Sequence, residues 1–164
     1  VLRRLFASSA LFRQFVLMVQ LEVAERLVAP PGGAGRSVLS ILAQYYTEPT
    51  ILMRVPPESF DPPPAVESAV VKMVVRNRPP AEVDSPPDAL FRVVEAGFAR
   101  RRKTIRNALI GGAADIALGL TPDDIDRALR RSLIDPMLRA EQMSLEQFSA
   151  LAVALGVAST GDGR

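Results

Sequence analysis

The segment RNRPPAEVDSPPD, residues 76–88, carries four prolines and limits every fold this chain can adopt. Proline cannot donate within a helix interior or a central strand, and it pushes the residue before it out of helical conformation. Four so close together end whatever regular structure precedes them. The residue pattern also changes across the segment. Before it, short β-branched and apolar runs alternate with helix-like stretches; after it, only helical periodicity is found. The expectation is part of an α/β domain over residues 1–78, a linker over 79–87, a small all-helical domain over 88–156 and a disordered tail over 157–164.

Within the first part, residues 2–13 read as the end of an amphipathic helix, with Leu2, Leu5, Phe6 and Phe12 apolar and arginines between them. FVLMV (15–19) has the length and composition of a buried strand. LEVAERLVAP is a short helix stopped by Pro30, Pro31 and the glycines that follow, and SVLSILAQYYTE is another. TILMRV (50–55) and AVVKMVV (69–75) read as two further strands. In the second part, Ser85 reads as an N-cap, with prolines in the first turn and Asp88 near the positive helix end. Thr121-Pro122-Asp123-Asp124 is a second start signal, and Ser144-Leu145-Glu146-Gln147 a capping box ahead of Phe148, Leu151 and Leu155.

Composition excludes several chemistries. The chain has no Cys, His or Trp, so a zinc finger, a thiolate nucleophile, a His-centred triad and a disulfide framework are all ruled out. No metal site is expected. A Cys-free chain suits the cytoplasm. The start faintly resembles an Arg- and Ser-rich targeting peptide, but its longest apolar run, Phe15 to Val19, is too short for a signal core or a membrane span. The chain begins with Val rather than Met, which suggests that an N-terminal portion is missing.

Two features stand out as candidate sites. The net charge is only +2, yet Arg100, Arg101, Arg102, Lys103 and Arg106 crowd into one stretch, and no acidic residue lies between Glu95 and Asp115. The apolar stripe Phe91, Val94, Phe98, Ile105, Leu109 reads as one long helix, and continuing it from Phe98 to Ile105 passes through Arg101 or Arg102. Burying an unpaired charge is costly, so these arginines face either solvent or a phosphate-bearing partner. The second feature is SFDPPPAVESAVV, where Pro62, Pro63 and Pro64 stiffen the chain behind Phe60. Burying a phenylalanine does not need so stiff a mount. Presenting an aromatic face at a fixed place does.

Three segments, QYYTEPTILMRVPPESFDPPPAVESAVV, FARRRKTIRNAL and LRAEQMSLEQFSAL, together resemble the small-subunit ribosomal RNA adenine dimethyltransferases, over about residues 1–155. The resemblance implies a Rossmann-like methyltransferase domain followed by a small helical domain. It implies transfer of methyl groups from S-adenosylmethionine to the exocyclic amines of two adjacent adenines near the 3′ end of small-subunit RNA. By that analogy Phe60 stacks on the target adenine, which must be held out of its stack, while Pro62 to Pro64 stiffen its loop. The alternative is that Phe60 closes the end of a strand pair. The basic residues Arg100, Arg101, Arg102, Lys103, Arg106 and Asn107 would contact RNA. The small ribosomal subunit and its RNA are the implied partners, with no membrane, and the full-length protein is expected to be a monomer.

Departures bear on the cofactor. Family members carry a glycine-rich loop after the first strand, an acidic residue for the cofactor ribose and an Asn-Leu-Pro-Tyr motif at the reacting amine; none is present here. GGAG at 32–35 follows a helix rather than a strand and reads as a plain loop. The catalytic motif is therefore expected upstream of Val1, S-adenosylmethionine is expected to be bound mainly by a missing N-terminal half, and the chain alone is expected to be inactive. Leu21 and Ala65 stand where relatives commonly have lysine. Two other readings stay open: a large-subunit RNA methyltransferase of the macrolide-resistance type, and a non-catalytic RNA-binding module of ribosome assembly.

Overall fold

A computed structural model of the chain describes residues 6, 11–78, 80, 84–100, 102–115 and 119–157. It divides into two compact units, Val1–Pro80 and Ala81–Arg164. The helix expected over 2–13 falls outside the described residues except for helical Phe6 and residues 11–13; of the expected tail, only Val157 is described.

The first unit is built on three strands, β1 (Gln14–Gln20), β2 (Thr47–Val55) and β3 (Ser68–Val75), in the order β1-β3-β2. Both outer strands run antiparallel to β3. Helices α1 (Leu21–Val28) and α2 (Val38–Tyr46) lie between β1 and β2 in sequence. Alternation along the strands sends Phe15, Ala69, Val71 and Met73 into the core with Ala24 and Leu27 of α1 and Ile41, Leu42 and Tyr45 of α2. The opposite alternation leaves Val16, Met18 and Val74 exposed. Burial and the neighbouring Tyr46 both push the Tyr45 phenol upward, burial more. Phe6 is fully buried and stacks on Tyr46 with ring centroids 6.1 Å apart.

The second unit holds four α-helices among the described residues: α3 (Pro87–Phe98), α4 (Ile105–Asp115), α5 (Pro122–Arg131) and α6 (Leu145–Leu155). Leu90, Val93, Ile105, Leu109, Ile125, Leu129, Phe148 and Leu151 form its buried core. Two of the start signals cap helices. Thr121 caps α5 through a hydrogen bond from the Asp124 N–H, and Ser144 caps α6 through one from Gln147, each with the reciprocal side-chain bond.

Two expectations fail. Ser85 does not cap α3: the N-cap is Pro86, with no side-chain cap bond. The Ser85 hydroxyl instead meets the Ser149 hydroxyl of α6 at 3.2 Å, and Ser149 also accepts from the Asp84 and Ser85 N–H groups. Burial of Ser85 explains the change, since its polar atoms must be satisfied inside the unit. Nor is the stretch from Phe91 to Leu109 one helix. α3 ends at Phe98 and α4 starts at Ile105, with a turn between them. Both apolar stripes reach the same core because the chain doubles back, which leaves Arg100, Arg102 and Lys103 exposed rather than buried.

Candidate RNA-facing surfaces

Phe60 is carried by the connection from β2 to β3. Pro57–Ser59 forms a single 3-10 turn whose last bond runs from the Phe60 N–H to the Pro57 carbonyl, 3.2 Å away. Pro62, Pro63 and Pro64 follow in an exposed, irregular stretch that bends at Asp61 and Pro62, and the Asp61–Pro62 peptide bond is cis. The loop is tied down beyond the prolines, where the Glu67 carbonyl accepts from the Leu21 N–H at 2.9 Å. Gln20 pairs with Ser68, and Ser68 with Val55. The loop therefore sits at the end of the sheet where β1 and β2 finish, the edge at which open α/β sheets take their ligands. Phe60 is half-buried and makes no ring contact among the described residues. Its ring has a fixed root and a face still to be used.

The basic cluster lies in the second unit, on the turn between α3 and α4. Arg100, Arg102 and Lys103 are exposed on that turn, which is tightened by a 2.9 Å bond from the Lys103 N–H to the Arg100 carbonyl. Arg101 lies outside the described residues. Thr104 opens α4: its hydroxyl accepts from Asn107 at 3.4 Å and its carbonyl from Ala108 at 2.8 Å, while the Ile105 N–H donates to the Leu138 carbonyl. Arg106 and Asn107 occupy the first turn of α4.

Arg106 departs from the sequence reading, which found no acid near the run. Its guanidinium grips Asp126 of α5 with two parallel bonds, Nε to Oδ1 at 2.6 Å and an Nη to Oδ2 at 2.8 Å. These bonds lower the Asp126 carboxyl and raise Arg106. Asp124 is lowered too, first by the Thr121 hydroxyl. Asp126 is 20 residues away in sequence, so no local pattern revealed it. Among the described residues the turn presents charge through Arg100, Arg102 and Lys103, while the Arg106–Asp126 pair also ties α4 to α5.

A family model described as ribosomal RNA adenine dimethylase matches residues 1–128. The chain belongs to this family. A protein named ribosomal RNA small subunit methyltransferase A from Moorella thermoacetica is 41% identical over 155 residues, covering 94% of this chain and 51% of that protein. One of the same name from Pelotomaculum thermopropionicum is 44% identical over 152 residues, covering 93% and 50%. The chain thus spans about half the length of the curated relatives it matches. Among solved structures, a dimethyladenosine transferase from Plasmodium falciparum superposes with a TM-score of 0.73 at 23% identity, covering 92% of this chain and 60% of that one. The 23S rRNA methyltransferase ErmE superposes at 0.57 with 21% identity, covering 88% and 55%. At these identities the likeness establishes the fold: part of an α/β methyltransferase domain plus a helical region.

Membership in this family implies a methyl-donor cofactor, and neither the β1–α1 junction nor the glycine loop described here has the form of a cradle for it. β1 runs directly into α1 at Gln20–Leu21 with no glycine at the junction. The glycines at 32–35 turn the chain between α1 and α2 instead, Gly32 and Gly35 with φ of 76° and 77°. A side chain on Gly33 would strike Pro30, 2.8 Å from its Cδ. Beneath the loop, buried Arg36 donates to the Ala29 carbonyl and to Gln44 Oε1. The loop is filled by its own chain. Among the described residues there is also no cluster of acidic side chains able to hold a metal ion and no helix long and apolar enough to cross a membrane.

Proposed function

We propose that this chain supplies the target-base and RNA-gripping parts of an enzyme that dimethylates two adjacent adenines near the 3′ end of small-subunit ribosomal RNA in the cytoplasm. S-adenosylmethionine, the methyl donor implied by the family, is assigned in this reading to protein outside residues 1–164. The observation that carries the reading is the Phe60 mount, a ring fixed between a 3-10 turn and three prolines at the end of the sheet. The ring stacks on the unpaired adenine, and the loop holds the exocyclic amine at a fixed height above the sheet edge. Arg100, Arg102 and Lys103 bind RNA phosphate, with Asn107 beside them. Relatives named for the small subunit, at 41% and 44% identity, favour that substrate over the large-subunit one.

The test is a chimera in which these residues replace the segment they match in the Moorella thermoacetica relative. Stacking on an aromatic contributes about 1–3 kcal/mol, so Phe60→Ala should cut adenine methylation roughly 5- to 150-fold while small-subunit binding stays largely intact. Phe60→Tyr keeps the face and should be mild. Equal losses of methylation and binding in Phe60→Ala would show instead that the ring only closes the strand pair.

A further inference from the structure

α4 contains two adjacent glycines, Gly111 and Gly112, where helix propensity alone would place almost any other residue. Their surroundings differ. A Cβ on Gly112 would sit 2.8 Å from the Ala96 carbonyl oxygen and 3.1 Å from its Cα, so that glycine lets α3 and α4 approach backbone to backbone. A Cβ on Gly111 would meet no backbone among its three nearest atoms. All three belong to the Arg100 side chain: Nε at 2.5 Å, Cδ at 3.0 Å and Cζ at 3.1 Å. Arg100 leaves the end of α3 and lies across the bare backbone of α4 at this one place.

We infer that Gly111 is a positioning residue for RNA binding, the seat that holds the Arg100 guanidinium in its phosphate-contacting pose. This deepens the reading of the basic turn given above and rests on it. A free arginine loses much rotamer freedom when it grips a phosphate; one already laid in a groove loses less, and its planar fork is aimed beforehand. The seat must be glycine because any Cβ occupies the space of Nε. The atom displaced is the far end of a flexible side chain, so alanine moves Arg100 without disturbing the fold.

Binding of the 164-residue chain to a fluorescein-labelled RNA hairpin with two adjacent adenines in its loop, measured across a salt series, tests this. Losing one phosphate contact should weaken binding about five-fold at 0.15 M salt and flatten the log–log salt slope by about 0.7–0.9. Arg100→Gln and Gly111→Ala should each show that loss, and the double variant no more than either alone. The Gly111→Ala melting temperature should hold or rise. Should Arg100→Gln leave affinity and slope unchanged, the reading of the basic turn falls and the inference with it. If Arg100→Gln weakens binding and Gly111→Ala does not, only the seat is overturned. Additive losses in the double variant overturn it as well, since Gly111 would then act through the helix rather than through Arg100. A Gly111→Ala chain that fails to fold has the same meaning, because the clash would be with fixed structure.

Discussion

The two units of this protein treat apolar surface in opposite ways. The helical unit turns its apolar stripes inward, and Ile105, Leu109, Ile125, Leu129, Phe148 and Leu151 are sealed from solvent. The sheet unit covers one face of β1-β3-β2 and leaves the other open, with Val16 and Met18 of β1 more than half exposed and Met53 of β2 at 58%. An open antiparallel face is tolerable when it is polar; this one carries Val and Met, with Lys72 among them. The helical unit has the makings of an independent folding unit. The sheet unit has the makings of a surface that must be covered. The same contrast separates their candidate sites, since Phe60 draws its order from prolines in its own loop, whereas the basic turn is ordered by helices folded back on each other.

The comparison breaks most visibly at Phe148. It is fully buried, stacks on Phe98 with centroids 5.9 Å apart, and reaches the backbone of α3 at Gly97. Phe148→Ala should destabilise the helical unit by about 3–5 kcal/mol, because the ring's contacts are lost and a cavity is left. Chemical denaturation followed by far-UV circular dichroism measures it; a change below about 1 kcal/mol would mean the core is not closed as described.

Gly112 sharpens the contrast within one helix. Gly112→Ala pushes against the Ala96 backbone, which cannot rotate away, and should cost about 1–3 kcal/mol even though alanine is the better helix former. Side by side, the melting temperature should fall for Gly112→Ala and hold or rise for Gly111→Ala.

On the open sheet face the effect should fall on association rather than stability. Val16→Thr with Met18→Thr keeps β propensity, removes exposed apolar area, and should change unfolding free energy by no more than about 0.5 kcal/mol. We expect the 164-residue chain to self-associate at micromolar concentration and the double variant to do so less, as seen by sedimentation velocity. Equal sedimentation of both would show that this face is inert.

The smallest effect expected is on pH dependence. The bonds from Arg106 hold Asp126 below the usual carboxylate range, and those from Thr121 hold Asp124 there. A group with a depressed folded value contributes stability that is fully present above its unfolded value of about 3.9 and is lost as pH falls through the folded one. The helical unit should therefore keep a flat melting temperature down to about pH 4 and lose stability only below it. Asp126→Asn should make that acid limb shallower. An unchanged limb would show that the Arg106 pair contributes nothing to folding.

Much of the architecture was legible because its causes are local. Strands over FVLMV, TILMRV and AVVKMVV follow from β-branched runs a few residues long, and β1, β2 and β3 differ from that reading by one to three residues at their ends. The caps at Thr121 and Ser144 are closed within three residues of sequence. Ser85 carried the same signal and was captured by Ser149, 64 residues away. The stripe from Phe91 to Leu109 reads as one helix because periodicity does not register a chain reversal that preserves the buried face.

The candidate sites divide along the same line. The amino-acid sequence by itself determined that the chain just after Phe60 would have little backbone freedom, since proline's restriction of φ acts on its immediate neighbours whatever surrounds them. It also determined that five basic residues would crowd together. Which acidic or glycine partners Arg106 and Arg100 meet was decided by tertiary structure alone. Asp126 takes Arg106, and Gly111 leaves room for Arg100, only once α3, α4 and α5 have packed. Electrostatic and steric partners are set by distance in space, and that distance is unrelated to separation along the chain until the core forms.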